Sequence, residues 1–148
     1  MIRAGVRVGL GTDGAASNND LNILGEMSTA AKVHKAITGN PTALDAKTAL
    51  LMATRWGAGI LGMGEKTGSI EKGKCADIIS VGLRKPHMTP LYDICSHLVY
   101  SAMASDIDAV IIDGKVVVDG GALVTGSEEE IMAKASSWGA RIAAADAE

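Results

Sequence analysis

The rhythm of apolar and polar positions changes along the chain, and each change predicts an element. A short apolar run from Val6 to Leu10 leads into Gly9-Leu10-Gly11-Thr12-Asp13-Gly14. The polar cluster that follows, Ala15-Ala16-Ser17-Asn18-Asn19-Asp20, has the composition that starts a helix. This predicts a strand, a small-residue loop carrying one carboxylate, and a helix. From Leu21 to about Ile37 apolar residues recur at helical spacing (Leu21, Leu24, Met27, Ala31), with Asn19 or Asp20 as the cap and Gly39 and Pro41 as the stop. Asp45 opens a second helix bearing Ala46, Ala49, Leu50 and Ala53. Thr54 is placed to cap a third, short one through Leu61, although Gly57, Gly59, Gly62 and Gly64 weaken that expectation.

At Thr67 the pattern shortens. Gly68-Ser69-Ile70-Glu71-Lys72-Gly73-Lys74 is turn-rich, and Ala76 to Val81 is an apolar run of strand length interrupted by Asp77. Pro86 and Pro90 bracket a loop, after which Leu91, Ile94, Leu98 and Ala102 share one helical face. Asp113-Gly114 separates Ala109-Val110-Ile111-Ile112 from Lys115-Val116-Val117-Val118, a strong hairpin signal. Ser127 and Glu130 form a capping box for a final helix whose stripe of Ile131, Ala135, Trp138 and Ile142 reads as a docking face.

Composition narrows the class. Hydrophobic residues make up 47% of the 148 positions, ample for a core, but aromatics only 3% with no Phe, so that core must be aliphatic and Met-filled. A net charge of −3 supplies no cationic field for nucleic acid. Cys75 and Cys95 are too far apart in sequence for a metal knuckle and too few for a disulfide framework. No apolar run approaches the roughly twenty residues that span a bilayer. These features predict a cytoplasmic protein without a nucleic-acid or membrane partner.

Candidate chemistry centres on Asp13. Taken alone, an Asp-Gly pair marks a turn more often than a site. Gly9, Gly11 and Gly14 also satisfy the GxGxxG nucleotide pattern, but a polar loop separates Gly14 from the next helix and no second strand ending in an acidic residue follows. His34 lies beside Lys32 and Lys35 on a solvated helix face. His87 and His97 have no carboxylate pattern between them, so packing or surface roles suit them better than metal ligation.

Together, GLGTDGAASNN, TGSIEKGKCADIISVGL and HMTPLYDICSHLVYSA leading into AVIIDGKVVVDGG resemble the C-terminal third of metal-dependent amidohydrolases. Within that superfamily the likeness is strongest to the methylthioadenosine/S-adenosylhomocysteine deaminases and their chlorohydrolase-like relatives. The resemblance implies an α/β fold: the last strand-helix unit of a (β/α)₈ TIM-like barrel, the C-terminal part of a flanking β-sandwich, and a terminal helix. It divides the chain into a barrel unit with its following helices (1–64), a sandwich part with an inserted helix at 90–104 (65–125), and the terminal helix (126–148). Val6 to Gly11 becomes the eighth barrel strand. By the same likeness Asp13 is both catalytic and a ligand of a divalent metal, usually zinc, which lowers the pKa of its water to about 7 while the carboxylate shuttles the proton. Ser17, Asn18 and Asn19 are carried over as loop-shaping or substrate-proximal groups.

The implied activity is hydrolytic deamination of an aminopurine nucleoside such as S-adenosylhomocysteine or methylthioadenosine. Alternatives are a guanine, triazine or other ring amine or halide as substrate, or a non-catalytic α/β oligomerising module. The family's His-x-His pair, its further metal histidines and its acidic general acid/base belong to regions preceding Met1, and His34, His87 and His97 do not occupy those positions. The chain alone is therefore expected to bind metal poorly and to be inactive. Its lone barrel strand and unpaired sheet edges are expected to be covered by self-association or by the remainder of a longer chain.

Overall fold

The computed structural model describes residues 1–145. It contains six α-helices, α1 (Ala15–Asn18), α2 (Ile23–Thr38), α3 (Ala46–Ala53), α4 (Arg55–Ile60), α5 (Ile94–Tyr100) and α6 (Glu128–Ala145), and four strands, β1 (Ile78–Val81), β2 (Ile107–Ile112), β3 (Lys115–Asp119) and β4 (Ala122–Leu123). The end of the expected terminal helix, 146–148, lies outside the described residues.

The long helices start where a side chain can satisfy the free N–H groups of a first turn. Asp45 accepts from the Thr48 N–H at 2.9 Å and from its hydroxyl at 2.9 Å, and Asp93 accepts from the Ser96 N–H at 2.6 Å. A cap of this kind contributes about 1 kcal/mol. The helix expected from Leu21 begins instead at Ile23, because Asn22 is the residue whose side chain reaches Gly25 N–H, while Asp20 is occupied by the Asn22 N–H. Thr54 precedes α4 but caps nothing: its hydroxyl donates back to the Leu50 carbonyl at 2.7 Å. The expected capping box before α6 is half formed, with Ser127 Oγ accepting from Glu130 N–H at 3.2 Å, while Glu128 Oε1 turns back to Leu123 N–H.

The core lies among α2, α3 and α5. Leu24, Met27, Ala31, Ala49 and Val99 form it, with Leu10, Leu50, Tyr100 and Ile107 packed partly against it. It is aliphatic and Met-rich, as the composition requires. Lys35, read as part of a solvated face, instead donates to the Ala43 and Leu44 carbonyls at 2.8 Å each and lies over the Tyr100 ring, tying the α2–α3 loop to α2.

The strands form one antiparallel sheet in the order β1-β2-β3-β4. Ile78 pairs with Ile111 and Val110 with Val118, and bulges fall at Ser80/Val81 and Val110/Ile111. The Asp113-Gly114 hairpin forms as its sequence dictates, with positive φ at both residues (49° and 77°), the twist-matched turn for adjacent strands. Asp77, which interrupts the β1 run, is explained by its partners. One oxygen accepts from Asp113 N–H and the other from the Thr67 hydroxyl, both at 2.8 Å, so it clamps the hairpin turn to the segment before β1.

Val6–Gly11, the expected barrel strand, forms no strand with any described residue. A strand exists only through a ladder partner, and none of the four described strands pairs with this segment. It is held instead by Leu10 N–H on the Met52 carbonyl at 3.2 Å and by the close approach of Gly9 to α4, where a Cβ would lie 3.2 Å from Gly57 Cα. No sheet residue is fully buried, and Ile79, Ile112 and Val116 are exposed. The α6 stripe is equally bare, with Ile131 at 56%, Trp138 at 50% and Ile142 at 59% exposure.

One buried charge locks the loop before α5 to the start of β2. Asp106, 1% exposed, accepts from His87 Nε2 (2.8 Å), Met103 N–H (2.8 Å) and Lys85 Nζ (3.0 Å). The His87 hydrogen bond, then the Met103 N–H, hold its carboxyl well below the ordinary carboxylate range. A depressed folded-state pKa gives stability that is complete above the unfolded value, about 3.9, and is lost as pH falls through the folded one. Replacing Asp106 by Asn should therefore lower Tm at pH 7 by roughly 5 °C. The gap between variant and parent, followed by thermal melts, should begin to narrow below about pH 4, where the unfolded carboxyl takes up its proton, and should close as pH falls toward the lower folded value.

Candidate active site

Asp13 sits where the 6–11 segment turns into α1, with φ of 58°. That left-handed conformation is open to Asp and Asn far more readily than to branched residues, since their short polar side chains bond locally. Here the local bond runs from Gly14 N–H to Asp13 Oδ1 at 2.7 Å. This N–H and the nearby Ser17 hydroxyl hold the carboxyl below its ordinary value, so Asp13 is an anion at neutral pH. It is exposed to solvent.

The three other sequence-selected residues surround this turn and shape it. Ser17 donates to the Gly14 carbonyl at 3.0 Å. Asn19, with φ of 64°, closes α1 through its N–H on the Ala15 carbonyl. Asn18 spends both hydrogens of its amide: Nδ2 donates to the Thr12 carbonyl at 2.8 Å and to Glu26 Oε1 at 2.8 Å. Glu26, in the first turn of α2, was not singled out in the sequence. It reads there as a favourable charge at a helix N-terminus, and nothing in its spacing announces a bond to the Asp13 loop.

The three histidines stay away from this turn in their bonding. His34 contacts the Ala30 carbonyl, His97 the Asp93 and Pro90 carbonyls, and His87 the Asp106 carboxylate. Among the described residues no group of three His, Cys, Asp or Glu is disposed to hold a metal ion. A hydrolytic zinc site takes three protein ligands and a water. A lone carboxylate such as Asp13 can offer one ligand at most, and the described residues do not complete a site by themselves.

Two clefts lie elsewhere. An apolar one of about 480 Å³ runs between the helical layer and β1, lined by Leu10, Ala58, Leu61, Met63, Ile70 and Ile79 among others. A polar one of about 430 Å³ is bordered by Arg7, Arg55, Glu65, Glu71 and Lys74. Neither includes Asp13. Lys74 is engaged by the Gly64 carbonyl and Ser69 hydroxyl, consistent with a turn-forming role for the Lys72–Asp77 stretch.

The backbone conformation at Asp13 sets which substitutions it accepts. Asp13→Asn should leave Tm within about 2 °C of the parent, whereas Asp13→Val should lower it by several degrees, because a β-branched residue is strained at positive φ. Thermal melts of both variants check this.

Comparison with known proteins places the chain among hydrolases of one family. The chain is 51% identical over 142 residues to a 5-methylthioadenosine/S-adenosylhomocysteine deaminase of Thermodesulfovibrio yellowstonii, covering 96% of this chain and 32% of that protein. It is 50% identical over 135 residues to a 5'-deoxyadenosine deaminase of Methanosarcina acetivorans, covering 91% and 31%. The crystal structure of an adenosine deaminase from Xanthomonas campestris with bound zinc superposes with a TM-score of 0.93 at 41% identity, covering 97% of this chain and 33% of that one. Atrazine chlorohydrolase from Arthrobacter aurescens complexed with zinc gives 0.85 at 32% identity, covering 92% and 30%. The chain spans about a third of the length of the curated relatives it matches. The model of the amidohydrolase family matches residues 1–117, and by that match, which takes in the Asp13 turn and most of the sheet, the chain belongs to the amidohydrolase family.

Proposed function

We propose that this chain supplies the Asp13 carboxylate to the active site of a hydrolase that removes the amine from an aminopurine nucleoside. The observation that carries the reading is an ionised, solvent-facing carboxylate, fixed in a left-handed turn, inside a stretch 51% identical to a nucleoside deaminase. In this reading residues 1–64 are the last strand-helix unit of a (β/α)₈ barrel with its following helices. Residues 65–125 are the C-terminal part of the flanking sandwich, and 126–148 a terminal helix. Val6–Gly11 takes its place as a barrel strand only beside neighbouring strands. The bare apolar surfaces of β1, β2, β3 and α6 support a working form in which more polypeptide, or a second copy, covers them.

The chemistry asked of Asp13 suits its type. Water adds to the ring carbon that bears the amine, the carbon–nitrogen bond breaks, and ammonia leaves. An ionised carboxylate accepts the proton from water and returns it to the departing nitrogen. A divalent ion at such a site supplies Lewis acidity, and Asp13 offers one ligand to it. Gly14 N–H, bound to Oδ1, leaves Oδ2 for either task. Ser17, Asn18 and Asn19 keep the turn in shape.

The 32% identity to atrazine chlorohydrolase supports a second substrate class, ring halides, but less strongly than the identity of about 50% to nucleoside deaminases. The test is a chimera in which this chain replaces the matching third of the Thermodesulfovibrio yellowstonii deaminase. It should hold zinc and release ammonia from S-adenosylhomocysteine or methylthioadenosine, and Asp13→Asn within it should reduce kcat by about 10³-fold or more while leaving the fold intact. Unchanged turnover in that variant would remove Asp13 from the chemistry. An inert but folded chimera favours the non-catalytic module.

A further inference from the structure

The bonds of Asn18 link the Asp13 turn to a residue that nothing else in the site accounts for. Glu26 is half-buried on α2, and among the described residues no ion pair involves it. A partly desolvated carboxylate without a cation is costly unless its oxygens accept hydrogen bonds. Glu26 Oε1 accepts one from Asn18 Nδ2 at 2.8 Å, and the second hydrogen of that amide goes to the Thr12 carbonyl, also at 2.8 Å. Thr12 is the residue immediately before Asp13, and its own hydroxyl donates to the Asp13 carbonyl at 3.0 Å. An amide NH₂ has two donors and no more, so Asn18 is fully committed to these acceptors and its orientation is set by them.

We infer that Glu26 is a positioning residue for Asp13: through the Asn18 amide it holds the Thr12 carbonyl, and with it the left-handed turn that aims the carboxylate. The inference rests on the functional reading above and deepens it. At position 18 the alternatives fail for chemical reasons, and at 26 they separate two effects. At 18, an Asp would set a carboxylate against both Glu26 and a carbonyl, and a Ser has one hydrogen where two acceptors wait. At 26, Gln keeps an acceptor oxygen but loses the charge, which separates the hydrogen bond from the electrostatic preference of a helix N-terminus for an anion. Asn18 is thereby a strut between α2 and the turn, with no hydrogen left for substrate.

The relay is tested first in the full 148-residue chain by amide hydrogen exchange at Gly14 and Asn19. Glu26→Ala should speed exchange at both by up to about tenfold, the size expected for one lost hydrogen bond, while Glu26→Gln, which keeps the acceptor oxygen, stays near the parent. Asn18→Ala should match Glu26→Ala, and the double variant should be no worse than either, as members of one chain of contacts are non-additive. In the chimera, Glu26→Ala should lower kcat by about 10- to 100-fold with KM unchanged, and Glu26→Gln should restore it. Equal losses in the Ala and Gln variants, additive losses in the double variant, a rise in KM at constant kcat, or unchanged exchange in Glu26→Ala would each overturn the relay. A chimera that never deaminates overturns the functional reading alone, because the exchange measurement still decides the relay.

Discussion

A single backbone hydrogen bond, from Leu10 N–H to the Met52 carbonyl, seats the segment that carries Asp13 on the helical layer. Without a ladder partner, residues 6–11 have few other ways to be held. Gly9 eases the seat, since a Cβ there would lie a tight 3.2 Å from Gly57 Cα and would press the chain away from α4. The carboxylate thus inherits its position from the C-terminal end of α3 and from the small residues of α4, not from a sheet. The glycines that weaken α4 as a helix are in part what brings the 6–11 segment against it.

The polar bonds divide into two groups of different character. Asp106 with His87 and Lys85, Asp77 with Thr67 and Asp113, and Lys35 with the Ala43 and Leu44 carbonyls all tie loops to elements distant in sequence. They compensate for an apolar core confined to a few residues of α2, α3 and α5. The second group, Asp13 with Gly14, Ser17 with Gly14, and Asn18 with Thr12, folds one short turn onto itself, and among the described residues the Asn18–Glu26 side-chain bond connects that turn to α2. A turn built this way is held by its own short bonds and leaves the Asp13 carboxylate exposed.

The apolar surface has the same logic. Both the sheet and α6 carry side chains that an independent domain of this size would bury, and the relatives matched along nearly all of this chain are about three times longer. The TM-score of 0.93 against a zinc-bound adenosine deaminase means that the arrangement seen here matches one third of that longer chain.

Local chemistry was legible in the residues themselves. The Asp113-Gly114 hairpin, the Asp45 cap, the helical spacing of Leu24, Met27 and Ala31, and the turn at Asp13-Gly14 each depend on neighbours within a few positions, where backbone preferences and periodicity suffice. The family resemblance was legible too, since it rests on contiguous motifs. The tertiary structure decided what depends on partners in space: that among the described residues no strand pairs with Val6–Gly11, that the buried Asp106 carboxylate gathers His87 and Lys85, and that Glu26 reaches Asn18. A strand, an ion pair and a hydrogen-bonded strut are each defined by what stands opposite them in space, and sequence order does not record that.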